Sequence, residues 1–126
     1  QISKLRFVFL VFLESLKIDF FRDRIFVFTP TGDVIDMPED STPVDFAYSI
    51  HSDIGNHIFG AKINGKMSPI FSKLKNNDIV EIITKKDSRP SNKWLEFVKT
   101  SIAKKHIKSY LEKNSLLSKL KSFGRS

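Results

Sequence analysis

The sequence contains no cysteine, which excludes disulfide bridges and cysteine-ligated metal and fits a reducing cytosol. Its three histidines, His51, His57 and His106, show none of the close pairing that a metal site uses. Neither a cofactor nor a metal is therefore expected. Tryptophan and tyrosine are scarce, one and two residues against 12 phenylalanines, so the core must be phenylalanine-rich. No apolar run approaches the roughly 20 residues needed to cross a bilayer. The longest, residues 7–13, follows Lys4 and Arg6 like the start of a signal peptide, but Glu14, Lys17 and Asp19 stand where a small-residue cleavage site belongs. It reads better as a helix buried on a neighbouring domain, and the missing initiator methionine suggests a piece of something longer. A glycine-rich phosphate loop and a nucleophile elbow are both absent. Asp33, Asp36, Glu39 and Asp40 read as turn residues rather than a catalytic pair, so no catalysis is expected of this chain alone.

Acidic side chains are also unevenly missing. Residues 1–90 hold 12 acidic and 12 basic side chains, whereas residues 91–126 hold two acidic and nine basic ones. The whole excess of +7 therefore lies at the C-terminal end. A local basic stripe suits a polyanion, most often nucleic acid or an acidic lipid surface; the plain alternative is a solvated helix face.

At 126 residues the chain has room for one domain with helical flanks. Residues 25–29 read as a strand, Pro30-Thr31-Gly32-Asp33 as a hairpin turn, and residues 34–37 as the return strand. The first strand is apolar on both faces: one should meet a helix, and the other needs a second cover. Thr42 is a good N-cap, Pro43 suits the first helical position and Asp45 closes a capping box. Phe46, Ala47, Ile50 and Ile54 then recur at helical spacing, and Gly55 reads as a left-handed stop. Residues 60–64, a tight Asn64-Gly65 turn, a short strand at 66–68 and a strand at 78–84 complete the order. That order, β-β-α-β-(short β)-β, is an α+β fold of the β-grasp (ubiquitin-like) type, one mixed sheet around one helix. The chain then divides into a helical segment at 1–24, the β-grasp at 25–86, a linker near 85–92, a basic amphipathic helix at 91–113 and a flexible tail at 114–126.

The stretches VFTPTGDVID, DFAYSIHSDIG, GAKINGK and WLEFVKTS occur in an order and spacing that resemble the TGS domain of the long Rel/SpoT proteins, bifunctional (p)ppGpp synthetase/hydrolases of the bacterial stringent response. The resemblance covers roughly residues 12–113. Residues 1–11 depart from it, and Ile102 stands where the family commonly has arginine. The resemblance implies a regulatory module in a cytoplasmic protein, with the catalytic domains elsewhere in the parent. It implies engagement of the 3′ CCA end of deacylated tRNA on the ribosome, with His51 as the principal contact. In some members the same domain is held to bind acyl carrier protein.

His51 borders the apolar stripe, where it either caps the core edge or contacts RNA. Imidazole chemistry suits the second, since the ring can stack on an unpaired base or hydrogen-bond a base edge or 2′-hydroxyl. Ser52 beside it could add a hydrogen bond. Lys62 and Lys66 flank the Asn64-Gly65 hairpin and either hold tRNA phosphates or are ordinary exposed lysines. Lys104, Lys105 and Lys108 supply the basic stripe, with His106 among them. An acidic protein partner, acyl carrier protein or the parent's own catalytic domains, would favour the lysines over His51.

Overall fold

The computed structural model of the chain describes Arg6 and residues 23–123, so the helical reading of residues 1–24 falls almost wholly outside the described residues. Strand β1 (Arg24–Phe28) pairs antiparallel with β2 (Val34–Pro38). Their turn closes by a 2.9 Å bond from the Thr29 N–H to the Asp33 carbonyl, with Gly32 at φ 94°, a conformation that glycine adopts without strain. Strand β3 (Ile58–Ile63) lies between β4 (Lys66–Ser68) and β5 (Val80–Thr84), antiparallel to both. Asn64 and Gly65, both at positive φ (54° and 84°), make the β3–β4 turn that their sequence predicts. The two ladders meet at one parallel bridge between Phe28 of β1 and Ile79, just ahead of β5. The Phe28 N–H donates to the Asp78 carbonyl at 2.8 Å, and the Asn77 N–H to the Phe26 carbonyl at 2.7 Å. The two ladders, β1-β2 and β4-β3-β5, are two sheets rather than the one mixed sheet expected, joined edge to edge in the arrangement of a β-grasp.

Helix α1 (Pro43–Ile50) starts as expected: Thr42 caps it and Asp45 closes the box. Its buried run from Pro43 to Tyr48 is sandwiched on two sides. Toward the sheet, Phe46 packs with Ile25, Val27, Met37, Leu74 and Val80. On its other side, Val44, Ala47 and Tyr48 pack with Ile58, Trp94, Val98, Ala103 and Ile107. The C-terminal helices thus complete the core of the domain. Phe26, on the outward face of β1, is half exposed among the described residues.

Four expectations are corrected. The helix read as continuous over 42–54 ends at Ile50, and a second short helix, α2 (Ser52–Asn56), follows an extended His51 (φ −165°, ψ 146°). Ile50, the last residue of α1, is 42% exposed. Gly55 is not a left-handed stop: it lies within α2, where a Cβ would clash with one edge of the Tyr48 ring. The helix read over 91–113 is two helices, α3 (Trp94–Phe97) and α4 (Ser101–Phe123). The extended Val98 between them resets the helical phase, so Ala103 and Ile107 turn inward and Ile102 outward. Helix α4 also continues through Asn114 to Phe123, across most of the span read as tail.

The two faces of α1 predict unequal costs of truncation. Phe46, 1% exposed, should cost about 3–5 kcal/mol as Phe46→Ala, whereas Ile50→Ala should cost roughly 1 kcal/mol or less. Denaturant midpoints of the two variants check this, and equal losses would contradict the exposed position of Ile50 at the end of α1.

Candidate nucleic-acid interface

The break between α1 and α2 places the His51 ring. Its N–H still donates to the Ala47 carbonyl at 3.1 Å, closing α1, while its carbonyl accepts from the Gly55 N–H at 3.1 Å, opening α2. The side chain is the N-cap of α2: Nδ1 accepts the Asp53 N–H at 3.0 Å, with the Asp53 carboxylate 3.7 Å away. The ring remains 63% exposed. His51 is thus neither a core histidine nor an unattached loop residue, but a held ring facing solvent.

Ser52, half-buried, follows it into a groove of about 270 Å³ between α2 and α4, lined with Asn56, His106, Ser109, Tyr110 and Lys113. The groove floor is organised by Tyr48. Its hydroxyl donates to Asn56 Oδ1 at 2.7 Å, and its ring stacks on His106 with centroids 5.7 Å apart and planes parallel to 1°. Burial, with a smaller contribution from nearby Tyr110, pushes the Tyr48 phenol well above its ordinary range, so it remains a neutral donor. His106 is therefore part of a stacked pair rather than an addition to the lysine stripe.

His57 lies on the other side of α2, its Nδ1 3.0 Å from the Ser88 carbonyl, and the Ser88 hydroxyl donates to the Ile58 carbonyl at 2.6 Å. These bonds pin the segment read as a linker against β3. A cleft of about 520 Å³ there is lined by Asp53, Ile54, His57, Thr84, Lys85 and Lys86. The ammonium of Lys85 sits 3.7 Å from the centroid of the Phe59 ring.

The lysines singled out in the sequence do not converge on His51. Lys62 lies opposite Glu81 and Met67, on the sheet face away from the helices, because its neighbours Ala61 and Ile63 face inward with their partners Ile82 and Val80. Lys66 follows at the end of the hairpin, exposed. On α4, with Ala103 and Ile107 facing the core, Lys104 and Lys108 fall on the flank opposite His106 and Lys113, and Lys105 points outward. Tyr48, Asn56 and Tyr110 are not among the expected contact residues, and Lys113 is expected only as part of the basic helix. The tyrosine in AYSIHSDIG was the one available signal. Among the described residues no cluster of three or more His, Cys, Asp or Glu could hold a metal, and no helix is long and apolar enough to cross a membrane.

The strand order, the single sandwiched helix and the histidine at its end define a β-grasp domain closed by C-terminal helices. Residues 25–84 match the TGS domain family. The chain is 54% identical over 101 residues to a GTP pyrophosphokinase of Myxococcus xanthus, covering 80% of this chain and 13% of that protein. It is 52% identical over 101 residues to a guanosine-3′,5′-bis(diphosphate) 3′-pyrophosphohydrolase of Aquifex aeolicus, covering 80% of this chain and 14% of the relative. Against the bifunctional (p)ppGpp synthase/hydrolase RelA of Mycobacterium tuberculosis the identity is 45% over 104 residues, with 81% and 14% covered. This chain carries a TGS domain, with its flanks, of the Rel/SpoT type, and it spans about one seventh of the length of these relatives.

The Gly55–Tyr48 contact reverses an ordinary rule. Glycine to alanine inside a helix usually stabilises by about 1 kcal/mol, yet Gly55→Ala should destabilise by about 1–3 kcal/mol through overpacking. Thermal melts check the sign. Pairing it with Tyr48→Leu should return part of the loss relative to Tyr48→Leu alone, and a stabilising Gly55→Ala would show the ring is not seated there.

Proposed function

We propose that this chain is the RNA-sensing regulatory module of a cytoplasmic (p)ppGpp synthetase/hydrolase, engaging the 3′ CCA end of deacylated tRNA on the ribosome. One observation carries the reading: the histidine of the AYSIHSDIG motif is held at a helix break with its ring open to solvent. A ring already fixed loses little freedom on contacting a base or ribose, which is the condition for a strong single-residue contact. Ser52 and the groove toward Lys113 continue the surface beside it. Lys104, Lys105 and Lys108 act at a distance from His51, as neutralisers of the phosphate backbone. The chemistry of (p)ppGpp belongs to other parts of the parent protein, and this module biases it.

A second reading draws on the separation of the lysines. Lys62 and Lys66 lie apart from His51, near exposed Met67, in a mixed basic and apolar surface suited to an acidic protein such as acyl carrier protein, or to the parent's catalytic domains. The two surfaces are distinct, so the two readings are separable by mutation.

Stacking on or bonding to one nucleotide is worth roughly 1–3 kcal/mol. In the full-length protein, His51→Ala should bind ribosomes carrying deacylated tRNA several-fold to a hundredfold more weakly, and trimming the terminal CCA should erase the difference from wild type. Unchanged binding and unchanged tRNA-dependent activation by a folded His51→Ala protein would overturn the reading.

A further inference from the structure

The two nitrogens of His51 have different surroundings. Nδ1 accepts the Asp53 N–H at 3.0 Å, and a ring nitrogen accepts only through a lone pair. The neutral ring therefore carries its hydrogen on Nε2. The cap holds this state because α2 opens with N–H groups that have no partner within the helix, and the extended backbone of His51 is that of an N-cap residue. The Asp53 carboxylate lies on the same edge of the ring, 3.7 Å from Nδ1; the side chain is 63% exposed, and among the described residues Nε2 has no hydrogen-bond partner.

We infer that His51 is a one-sided reader: Nδ1 is committed to the fold, and Nε2–H is presented as a hydrogen-bond donor to the RNA. The atom it selects is an acceptor, a pyrimidine carbonyl, an unprotonated ring nitrogen or a ribose oxygen, and an exocyclic amino group is disfavoured. Asp53 is a positioning residue through its backbone, because its N–H fixes both the tautomer and the ring plane. The inference rests on the reading of His51 as the RNA contact, and it excludes pure base stacking as the source of that contact.

Two amides separate the nitrogens. His51→Asn keeps an acceptor close to the place of Nδ1 but ends short of Nε2. His51→Gln carries an amide N–H toward the place of Nε2 but weakens the cap. In the full-length protein on ribosomes with deacylated tRNA, His51→Asn should melt like wild type yet bind as weakly as His51→Ala. His51→Gln should melt lower but bind roughly five- to tenfold better than His51→Ala, the worth of one hydrogen bond. Nitrogen-15 NMR of this chain without RNA should show the neutral ring of His51 unprotonated at Nδ1. A folded His51→Gln as weak as His51→Ala, a His51→Asn that binds like wild type, or a ring protonated at Nδ1 in its neutral form each overturns the inference and leaves the RNA contact itself standing. That contact fails only on the different outcome that His51→Ala binds like wild type, in which case the inference falls with it.

Discussion

The carboxylate of Asp45 joins two helix starts that lie far apart in sequence. At the head of α1 it accepts the Thr42 N–H at 2.9 Å and the Thr42 hydroxyl at 3.0 Å. At the head of α4 it accepts the Thr100 N–H and hydroxyl, both at 3.0 Å, and the Lys99 N–H at 3.0 and 3.1 Å. Thr100 in turn caps α4, its hydroxyl oxygen accepting the Ala103 N–H at 3.2 Å. The group is completely buried, and a buried charge without partners is strongly destabilising. Its lone pairs are filled only when the segment at 99–100 is docked against α1. The β-grasp and the C-terminal helices are therefore one structure, with Asp45 as the joint between them.

From that joint follows the presentation of His51. The run of α1 from Pro43 to Tyr48 is covered on two sides: the sheet takes Phe46, and α3 and α4 take Val44, Ala47 and Tyr48. Tyr48 then sets what happens at its end. Its ring lies against Gly55 and His106, and its hydroxyl holds Asn56, so α2 is drawn across the end of α1 toward α4. One extended residue makes that change of direction, and it is His51, whose side chain caps the new helix. His51 is thereby linked to the C-terminal helices through Tyr48, which touches α2 at Gly55 and Asn56 and stacks on His106 of α4.

Local chemistry was legible in the sequence. Thr42, Pro43 and Asp45 announced α1, Asn64-Gly65 announced the β3–β4 turn, and the strand order pointed to the β-grasp. What could not be read depends on contacts across the chain. The stripe Phe46, Ala47, Ile50, Ile54 runs unbroken through His51, so periodicity gives no sign of the kink that Tyr48 and Gly55 impose. Asp45 looks like an ordinary capping-box residue because its other donors lie 54 and 55 positions away. The helix read from residue 91 onward hides an extended residue at 98 that decides which side chains turn inward. Lys62 and Lys66 are near His51 in sequence, yet the pleat puts Lys62 on the far face of the sheet.

The joint at Asp45 has a direct test, because Trp94 is the only tryptophan and lies in the core shared by α1 and the C-terminal helices. Denaturant unfolding can be followed by its fluorescence and, in the same samples, by far-ultraviolet circular dichroism. In the wild-type chain the two transitions should coincide. In Asp45→Asn, which places amide hydrogens among backbone donors, the Trp94 transition should move to lower denaturant than the backbone signal as the helices undock first. Coincident transitions at the wild-type midpoint in Asp45→Asn would contradict the account.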